Sequence, residues 1–458
     1  MPQLLISAAH KSSGKTTLCV GLGAEWSRLG LQIQSFKKGP DYIDPLWLTQ
    51  ATQRPCYNLD FYTQDQDEIR QLFASRMVSA DLGLIEGNKG LYDGLDLHGH
   101  NSNAALAKLL GAPVVLVIDT EGMTRGIAPL LLGYQDFDPA IRIAGVILNK
   151  VNGSRHESKL RAVIEHYTDI PVVGSVQRCS ELVIVERHLG LIPSNEAQEA
   201  SAQIERIRRV VAEQVEFSAL SAIADGASPL DCATAPVPVQ ISSDTPLRIG
   251  IAQDRAFGFY YPGDLEAMVA AGALLVPFSP MTDRQLPDVD GIFIGGGFPE
   301  MHLAALEANG VLRAQLRDYV ESGRPLYAEC GGLMYLSRSI QWRDETCSMV
   351  GIIPGDTRMY DRPQGRGYVR LRPTQWLPWP LPVTGDAIAA HEFHYSRLEN
   401  LASGQIFGFE MLRGTGIDGS HDGLVYKNLL ACYSHLRNVG GCRWTEHFLH
   451  QVQTYRRR

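Results

Sequence analysis

The sequence contains no long apolar run. No stretch approaches the roughly 18 consecutive apolar residues of a membrane-spanning helix, so we expect no membrane span. The N-terminal residues Met1-Pro2-Gln3 lead directly into an apolar strand pattern, without the basic region and the long apolar region of a signal peptide. Both absences lead us to expect a cytoplasmic protein.

The sequence also lacks a cysteine pattern and an excess of positive charge. The eight cysteines are scattered, without a CxxC pair or a metal-type spacing, so most are expected to be free and buried rather than part of a disulfide framework or a zinc module. The formal net charge of −8 argues against sequence-independent binding of nucleic acid. It does not exclude a local basic site for a small anion.

The pattern that is present indicates two α/β domains. A chain of 458 residues is too long for one ordinary core. In the first half, short β-branched apolar runs alternate with helical patterns, which is typical of βαβ units and predicts a doubly wound parallel sheet. The predicted strands are residues 4–8, 31–36, 82–85, 114–118, 144–148 and 172–173.

A second α/β pattern follows a linker. A helical pattern over residues 199–217 precedes residues 227–246, which are rich in Pro, Ser, Ala and Thr. New strands are predicted at residues 247–251, 274–276, 291–294 and 326–327. We therefore predict a first domain over 1–195, a helix and linker over 196–245, a second domain over 246–440 and a C-terminal helix over 441–458.

A nucleotide site is predicted near the N-terminus, where a strand, a loop of small residues and a helix surround Gly14-Lys15-Thr16. In such a P-loop, backbone N–H groups hold phosphates and the lysine reaches the β and γ oxygens. We predict that Gly14, Lys15, Thr16 and Thr17 bind ATP, with the Thr16 hydroxyl also a ligand of Mg²⁺. Ala9 stands where the strict pattern has its first glycine.

Two acidic segments, residues 37–44 and 86–94, follow other predicted strands. The carboxyl ends of parallel strands converge on the ligand crevice, and Mg²⁺ beside ATP takes one or two carboxylates. Asp41 and Glu86 are therefore candidate Mg²⁺ ligands. The alternative is that these are turn residues, and for Asp44 the two interpretations compete evenly.

Further polar residues at this edge are candidates for substrate and nucleotide contacts. Asn149 ends another predicted strand, where it either contacts the adenine or simply starts a loop. The residues expected to contact or activate the substrate are Lys38, Asp41, Asp44, Tyr92 and Asp93.

A glutaminase site is predicted around Cys330. This cysteine lies between a short strand and a helical pattern, with small neighbours that permit a strained elbow presenting a nucleophile. Gly296 and Gly297 follow another strand and could donate N–H groups to an oxyanion. His435 could deprotonate the thiol and later protonate the departing ammonia. A lone cysteine is usually a core residue, so the prediction depends on all three features together.

The other histidines have weaker signals. His391 and His394 resemble a metal spacing only loosely, and a structural or substrate-contacting role is favoured over zinc ligation. His98 and His100 lie in a polar loop, where solvation and substrate contact compete evenly. Chemistry alone gives no role to His188.

Long motifs extend over nearly the whole chain: FKKGPDYID, IEGNKGLYDG, ERHLGLI, FYYPGDLE, GGGFPE, YAECGGLMYL and HEFHYS. With the P-loop and the late histidine, they resemble the cobyrinic acid a,c-diamide synthases and their hydrogenobyrinic acid counterparts, including siroheme-amidating relatives. The resemblance implies a first half similar to dethiobiotin synthetase and a second half similar to triad glutamine amidotransferases. It implies Cys330 as nucleophile, His435 as its base, and Asp41, Glu86 and Asp93 around Mg·ATP and the carboxylate.

The resemblance also implies a reaction. A ligase of this family uses ATP to convert the a and c acetates of a tetrapyrrole in cobalamin biosynthesis to acyl phosphates, and ammonia released from glutamine displaces the phosphate. Its separate sites imply a protected internal route for ammonia. The resemblance leaves room for a homodimer.

The chain departs from the family pattern at two places. Arg437 stands where related amidotransferases carry a glutamate two residues after the histidine, and Asn88-Lys89 replaces the expected Val-Met beside the substrate loop. The second departure leaves siroheme, sirohydrochlorin or hydrogenobyrinate as alternative macrocycles. Cobyric acid synthase is a further alternative that the compact linker disfavours. A P-loop partition-type ATPase that makes no amide is the alternative from another class.

Overall fold

The computed structural model describes residues 1–184, 186–187, 190–194, 200–230, 245–381 and 386–457, with the backbone alone at 186–187 and 190–191. The chain forms two compact units, Met1–Ala235 and Pro236–Arg458. His188 and residues 231–244 of the predicted linker lie outside the described residues, and the predicted domain limits stay predictions. None of the helices in these ranges has the length and apolar character that a bilayer crossing requires.

The first unit alternates strands and helices along most of its length. Its strands are β1 (Gln3–Ala8), β2 (Ile33–Lys38), β3 (Tyr57–Leu59), β4 (Leu82–Glu86), β5 (Val114–Asp119), β6 (Ile143–Val151), β7 (Val172–Gln177), β8 (Glu186–Arg187) and β9 (Gly190–Leu191). Its helices are α1 (Lys15–Arg28), α2 (Ile43–Thr52), α3 (Gln66–Met77), α4 (Asn103–Leu110), α5 (Ile127–Phe137), α6 (Ser154–Tyr167), α7 (Ala200–Gln214) and α8 (Phe217–Asp225). All six predicted strands are present, and the helical pattern at 199–217 corresponds to α7. Helix α8 and the strands β3, β8 and β9 were not predicted.

Strands β1 to β7 form one parallel sheet in the order β3-β2-β4-β1-β5-β6-β7. Successive side chains of a strand point to opposite faces. Leu4 and Ile6 of β1 pack in one apolar cluster with α1 and α7, whereas Leu5 packs in another with α3 and α4. Because helices cover both faces, the predicted doubly wound sheet is confirmed. The loops after β1, β2, β4 and β6 lie at its carboxyl edge.

The second unit combines parallel and antiparallel strands. Its first strands are β10 (Leu247–Ala252), β11 (Phe257–Phe259), β12 (Ala273–Phe278), β13 (Gly291–Ile294), β14 (Gly296–Gly297), β15 (Leu326–Glu329), β16 (Ser337–Trp342) and β17 (Glu345–Ser348). They are followed by β18 (Ile353–Met359), β19 (Gly365–Pro373), β20 (Ile388–His394), β21 (Ser396–Glu399), β22 (Ile406–Arg413), β23 (His421–Tyr426) and β24 (Leu429–Cys432). Its helices are α9 (Pro262–Ala270), α10 (Leu303–Ala308), α11 (Gly310–Glu321), α12 (Gly331–Leu336) and α13 (Trp444–Arg456).

The main sheet of this unit has the order β12-β10-β13-β15-β24-β23-β22-β19-β20. The four predicted strands, β10, β12, β13 and β15, lie in its parallel part, which β24 joins. The antiparallel part was not predicted. Its signal is visible in β19, where buried Val369 and Leu371 alternate with exposed Arg370 and Arg372, the pattern of a strand with one buried face.

The parallel strands place the C-terminal site. Strand β15 ends at Glu329 and pairs there with Cys432, the last residue of β24. Cys330 and His435 each follow one of these strand ends. Since parallel neighbours end at the same edge of a sheet, the two residues come together although about a hundred residues separate them in the chain.

Candidate active sites in the two units

The predicted P-loop connects β1 to α1. Ser12 and Gly14 have positive φ angles of 64° and 90°, so the backbone turns sharply just before the helix begins at Lys15. A Cβ at Gly14 would lie 2.2 Å from Nδ2 of Asn149, and this amide donates to the carbonyl oxygen of Ser13 at 2.8 Å. Asn149 therefore braces the loop, and its contact with adenine stays a prediction.

Lys15 is held in place by a neutral partner. Its Nζ donates to the carbonyl oxygen of Lys89 at 2.7 Å. An ammonium group has three donors, so this contact leaves donors for phosphate oxygens. Burial lowers the pKa of Lys15, and the nearby Lys37 ammonium lowers it further. A phosphate anion at this place would counter both effects. Thr17 is half-buried in the first turn of α1.

Two carboxylates, the buried Glu86 and the partly exposed Asp44, lie beside Thr16. Its Oγ1 donates to Oε1 of Glu86 at 2.6 Å and lies 3.2 Å from Oδ2 of Asp44. The Nζ of Lys37 bridges the same two carboxylates and lies 2.7 Å from Oε1 of Glu86. Burial raises the pKa of Glu86, although Lys37 opposes it. Two carboxylates facing one ammonium group leave a site that favours a further cation.

The pair Thr16 and Glu86 fits a hard divalent cation. Oε2 of Glu86 is buried without a hydrogen-bond partner, so an acceptor oxygen is available next to the hydroxyl. Mg²⁺ prefers such oxygen ligands and completes its shell with phosphate and water at nucleotide sites. In the part of the chain that the structure describes, no group of three or more His, Cys, Asp or Glu side chains could hold a metal ion by itself. Such a cation would depend on the nucleotide.

Asp41 and Asp44 differ in what their carboxylates contact. Oδ1 of Asp41 accepts from the backbone N–H groups of Ile43 and Asp44 at 2.9 and 3.1 Å, at the first turn of α2. Burial, with Asp44 as the second cause, raises the pKa of Asp41 to about 7. The structure thus brings Thr16 and Glu86 together with Asp44. The role of Asp41 as a metal ligand stays a prediction.

Lys37 was missed as a site residue, whereas its neighbour Lys38 was predicted. Burial alone would lower the pKa of Lys37, but Asp44 and Glu86 raise it well above its usual value. For Lys38, burial lowers the pKa to about 8, with Asp60 opposing. The signal for Lys37 was a charged residue at the buried carboxyl end of β2, the same signal that identified Glu86.

The loop after β4 carries the predicted substrate residues Tyr92 and Asp93. Oδ2 of Asp93 accepts from the N–H of Gly90 at 2.9 Å, and its side chain is exposed. The Tyr92 hydroxyl donates to the carbonyl of Tyr134 at 2.6 Å, and the Tyr134 hydroxyl donates to Ala9 in the P-loop at 2.7 Å. Tyr92 thus supports the P-loop, while Asp93 presents a carboxylate to solvent beside it. Their substrate contacts stay predictions.

Cys330 occupies a strained turn between β15 and α12. Its φ is 47° and its ψ is −101°, in a region that residues other than glycine rarely adopt. Its N–H donates to the carbonyl of Cys432 at 2.7 Å, and its Sγ lies 3.9 Å from the carbonyl of Phe393. This is the conformation by which a strand-to-helix elbow presents a nucleophile.

The two predicted oxyanion glycines border this elbow. A Cβ at Gly331 would lie 2.9 Å from the backbone N of Gly297, so the residue after the nucleophile and Gly297 are adjacent. A Cβ at Gly296 would lie 2.8 Å from Cε1 of His435. The sequence did not single out Gly331, although the N–H after a nucleophile is a common second donor to an oxyanion. The donation itself stays a prediction.

His435 contacts both Cys330 and a carboxylate that was not predicted. Its Nδ1 lies 3.2 Å from Oε2 of Glu329, and Cys330 is close enough to influence its charge. Burial would lower the pKa of His435, but these two partners raise it to about 10. The imidazole can therefore take and hold the proton of the thiol. Glu329 ends a buried apolar strand, as Glu86 does, so its signal was present in the sequence.

A second histidine stacks on His435. The rings of His391 and His435 are 4.9 Å apart and nearly parallel, and Nδ1 of His391 lies 3.3 Å from the hydroxyl of Tyr261. Burial, followed by the charges of His435 and Arg437, lowers the pKa of His391 well below its usual value. His391 is therefore neutral. Arg437 places its guanidinium 4.9 Å from the centre of the Tyr261 ring.

The remaining predicted histidines lie in different surroundings. His394 is buried, stacks on Tyr433 at 3.9 Å and has Nδ1 2.8 Å from the carbonyl of Ser396. His98 and His100 are exposed in the loop after β4, with ring centres 5.6 Å apart. Their roles in substrate contact stay predictions.

Comparisons with known proteins match both halves of the chain. Residues 5–192 match the profile of the CobQ/CobB/MinD/ParA nucleotide binding domain, and residues 248–439 match that of the CobB/CobQ-like glutamine amidotransferase domain. The cobyrinate a,c-diamide synthase of Magnetococcus marinus is 45% identical over 97% of this chain and 96% of its own length. The chain belongs to the cobyrinate a,c-diamide synthase family. Further relatives of that name come from Methanothermobacter thermautotrophicus, 39% identical over 95% and 96%, and Methanosarcina acetivorans, 38% identical over 96% and 93%.

Membership of the cobyrinate a,c-diamide synthase family confirms several predictions at once. The chain has a P-loop nucleotide-binding part followed by a glutamine amidotransferase part, and it is an ATP-dependent ligase that uses glutamine. Because a glutamine amidotransferase profile covers residues 248–439, the alternative of a partition-type ATPase that makes no amide has lost its support.

Proposed function

We propose that the chain amidates the a and c acetate carboxylates of cobyrinate in cobalamin biosynthesis, with ATP as the activator and glutamine as the nitrogen donor. One observation carries the proposal. A strained cysteine close to a histidine and a P-loop beside a buried glutamate occur in one chain. That chain is similar over nearly its full length to cobyrinate a,c-diamide synthases.

The first chemical step activates a carboxylate. An acetate oxygen attacks the γ-phosphorus of ATP, an oxygen–phosphorus bond forms, and the bond to the bridging oxygen of ADP breaks. Lys15 donates to the phosphate oxygens and Lys38, when protonated, pairs with the substrate carboxylate. Thr16 and Glu86, with Asp44 next to them, would hold Mg²⁺, which neutralises charge on the phosphate oxygens.

The second chemical step releases nitrogen from glutamine. The Cys330 thiol gives its proton to His435, and the thiolate attacks the carboxamide carbon. The backbone N–H groups of Gly297 and Gly331 stabilise the oxyanion. His435 then protonates the departing ammonia, and water hydrolyses the glutamyl thioester to glutamate.

The third chemical step joins the two activities. Ammonia attacks the acyl carbon, phosphate leaves with the carbon–oxygen bond electrons, and the new amide loses one proton. Ammonium has no lone pair, so nitrogen has to reach the acyl phosphate as neutral ammonia, by the protected route that the sequence predicts. The sequence of steps repeats at the second acetate. A homodimer and a cytoplasmic location stay predictions.

The identity of the macrocycle has a second candidate. The departure Asn88-Lys89 from the family pattern lies in the loop whose carbonyl at Lys89 contacts Lys15. Because this change lies close to the phosphate site, siroheme, sirohydrochlorin and hydrogenobyrinate are the alternative substrates of the same mechanism. Cobyric acid synthase activity would instead place amides on other side chains of the ring.

The test is a product analysis. Purified protein is incubated with ATP, Mg²⁺ and glutamine, and with cobyrinate, hydrogenobyrinate or siroheme in parallel. Mass spectrometry counts the amides and NMR assigns their positions on the ring. Two amides at the a and c acetates of cobyrinate support the proposal. Amidation of siroheme alone would move the proposal to that macrocycle, and amides at other side chains would contradict it.

A further inference from the structure

We propose that Glu329 is the positioning residue that orients His435 during glutamine hydrolysis, in place of the glutamate that related amidotransferases carry two residues after the histidine. The inference rests on the proposed glutaminase activity and names a residue for it. In this chain the position two residues on is Arg437, whose guanidinium lies over the ring of Tyr261 and cannot accept a hydrogen bond from an imidazole.

The carboxylate of Glu329 is fixed from two sides. Its Oε1 accepts from the Tyr327 hydroxyl at 2.6 Å and from the backbone N–H of Leu436 at 2.9 Å. Its Oε2 lies 3.2 Å from Nδ1 of His435. The side chains of Glu329 and His435 are each only 3% exposed. With Oε1 occupied, the remaining oxygen is aimed at the histidine, which is the geometry of an orienting group rather than of a mobile surface charge.

These contacts connect the two halves of the catalytic pair. Glu329 immediately precedes Cys330, and Leu436 immediately follows His435. The hydrogen bond from Leu436 therefore ties the histidine turn to the residue before the nucleophile. The parallel pairing of Glu329 with Cys432 holds the two strand ends in register. A single buried carboxylate thus fixes both the position of the elbow and the rotation of the imidazole.

The chemical role follows from the contact with Nδ1. A carboxylate there keeps the proton on Nδ1, so the other ring nitrogen can accept the thiol proton, and it stabilises the imidazolium that forms. The titratable groups that face His435 are Glu329, Cys330 and the stacked His391. Cys330 and Glu329 both stabilise the charged form of the imidazole, and of the two it is Glu329 that faces Nδ1.

The decisive variant is Glu329→Gln, which keeps the shape and removes the charge. We expect glutamine hydrolysis to lose kcat by roughly 100-fold with little change in KM. We also expect the basic limb of its pH profile to move down by about one pH unit, because an imidazolium without its carboxylate gives up its proton more easily. Glu329→Asp keeps the charge at a greater distance. Its basic limb should stay near the wild-type position while kcat falls by roughly tenfold.

Two controls separate positioning from general damage. Amidation driven by ammonium chloride should be unchanged in Glu329→Gln, because it does not use the thiol. Glu392→Gln is the matched buried carboxylate: Glu392 accepts from the N–H groups of Thr415 and Gly416 at 2.7 and 2.8 Å and faces His394 instead. Its basic limb should not move.

The outcomes are separable. Wild-type kcat and an unmoved basic limb in Glu329→Gln would overturn the inference, as would the same shift in Glu392→Gln. If Glu329→Gln does not fold, Glu329→Asp decides, and wild-type kcat in that variant would overturn the inference. A wild-type protein that hydrolyses no glutamine would overturn the proposed function itself, which is a different result from an insensitive variant.

Discussion

Glu86 in the first unit and Glu329 in the second occupy equivalent places in two unrelated sheets. Each is the last residue of a buried parallel strand, and each lies beside the chemistry of its unit. Glu86 faces Thr16 and Lys37, and its Oε2 has no hydrogen-bond partner. Glu329 has both oxygens in hydrogen bonds, one of them to His435.

The difference shows how partners decide what a buried carboxylate does. An oxygen without a partner inside a protein costs free energy, and it is retained where something that is not part of the chain completes it. A fully hydrogen-bonded carboxylate instead fixes its neighbours. Glu86 is therefore suited to bind a cation that arrives with the nucleotide, and Glu329 is suited to orient a histidine that is always present.

The largest expected effect is that of Cys330→Ala, which should remove the glutamine-driven rate and leave the ammonia-driven rate. In Cys330→Ala, synthesis with glutamine should fall by on the order of 10⁴-fold, because no other group in the elbow can form the thioester. Synthesis with ammonium chloride should remain, because Lys15, Thr16 and Glu86 are untouched. The measurement is the initial rate of amide formation with each nitrogen source.

A second thiol provides the control for this variant. Cys347 is a free, partly exposed cysteine outside the elbow, so Cys347→Ala should keep both rates. Loss of the ammonia-driven rate in Cys330→Ala, with a folded protein by circular dichroism, would show that the two units do not divide the reaction as proposed.

The next effect tests Glu86 in the same way. An amide in Glu86→Gln is a weak ligand for a divalent cation and leaves Lys37 with one carboxylate fewer. We expect both the glutamine-driven and the ammonia-driven rates to fall together, by on the order of 100-fold. Glu121→Gln, an exposed carboxylate of the same unit that pairs with Arg178, is the matched control. A fall in the glutamine-driven rate alone would mean that Glu86 serves glutamine hydrolysis, as Glu329 does, and would contradict the proposed difference between the two residues.

The smallest effect concerns Lys38 and pH. Its pKa is lowered to about 8 by burial, so its amine loses its positive charge as the pH rises through that value. A carboxylate substrate should therefore bind more weakly above pH 8 than below it, by on the order of tenfold. The measurement is the Kd of the macrocycle by absorbance titration between pH 7 and 9, without ATP. Lys38→Met should bind weakly at every pH, and an unchanged pH dependence in that variant would assign it to another group.

The parallel parts of both units could be predicted because their strands are short apolar runs between helical patterns. The P-loop, Cys330 and His435 could be predicted because their residue types, in that order and between those elements, rarely occur outside such sites. The antiparallel strands escaped because half-exposed strands such as β19 carry arginine at alternate positions and form no apolar run. Their alternation of buried and exposed residues is a weaker signal than a continuous apolar run.

Side-chain direction is what the sequence could not supply. Lys37 and Lys38 are adjacent and chemically identical, yet the strand sends Lys37 to Glu86 and Asp44. Asp41 and Asp44 lie three residues apart, and the start of α2 turns one to the backbone and the other to Thr16. Glu329 reaches His435 only because two strands distant in sequence are neighbours in the sheet. Each of these contacts is set by tertiary structure.

The central claim is that one chain takes nitrogen from glutamine at Cys330 and attaches it to a carboxylate activated at the P-loop. The most direct measurement follows the nitrogen atom itself: the protein is given ATP, Mg²⁺, cobyrinate, glutamine labelled with ¹⁵N at its amide, and an equal concentration of unlabelled ammonium. The proposed mechanism yields ¹⁵N in both new amides of the product. Amides that carry only unlabelled nitrogen while glutamine remains intact would contradict it.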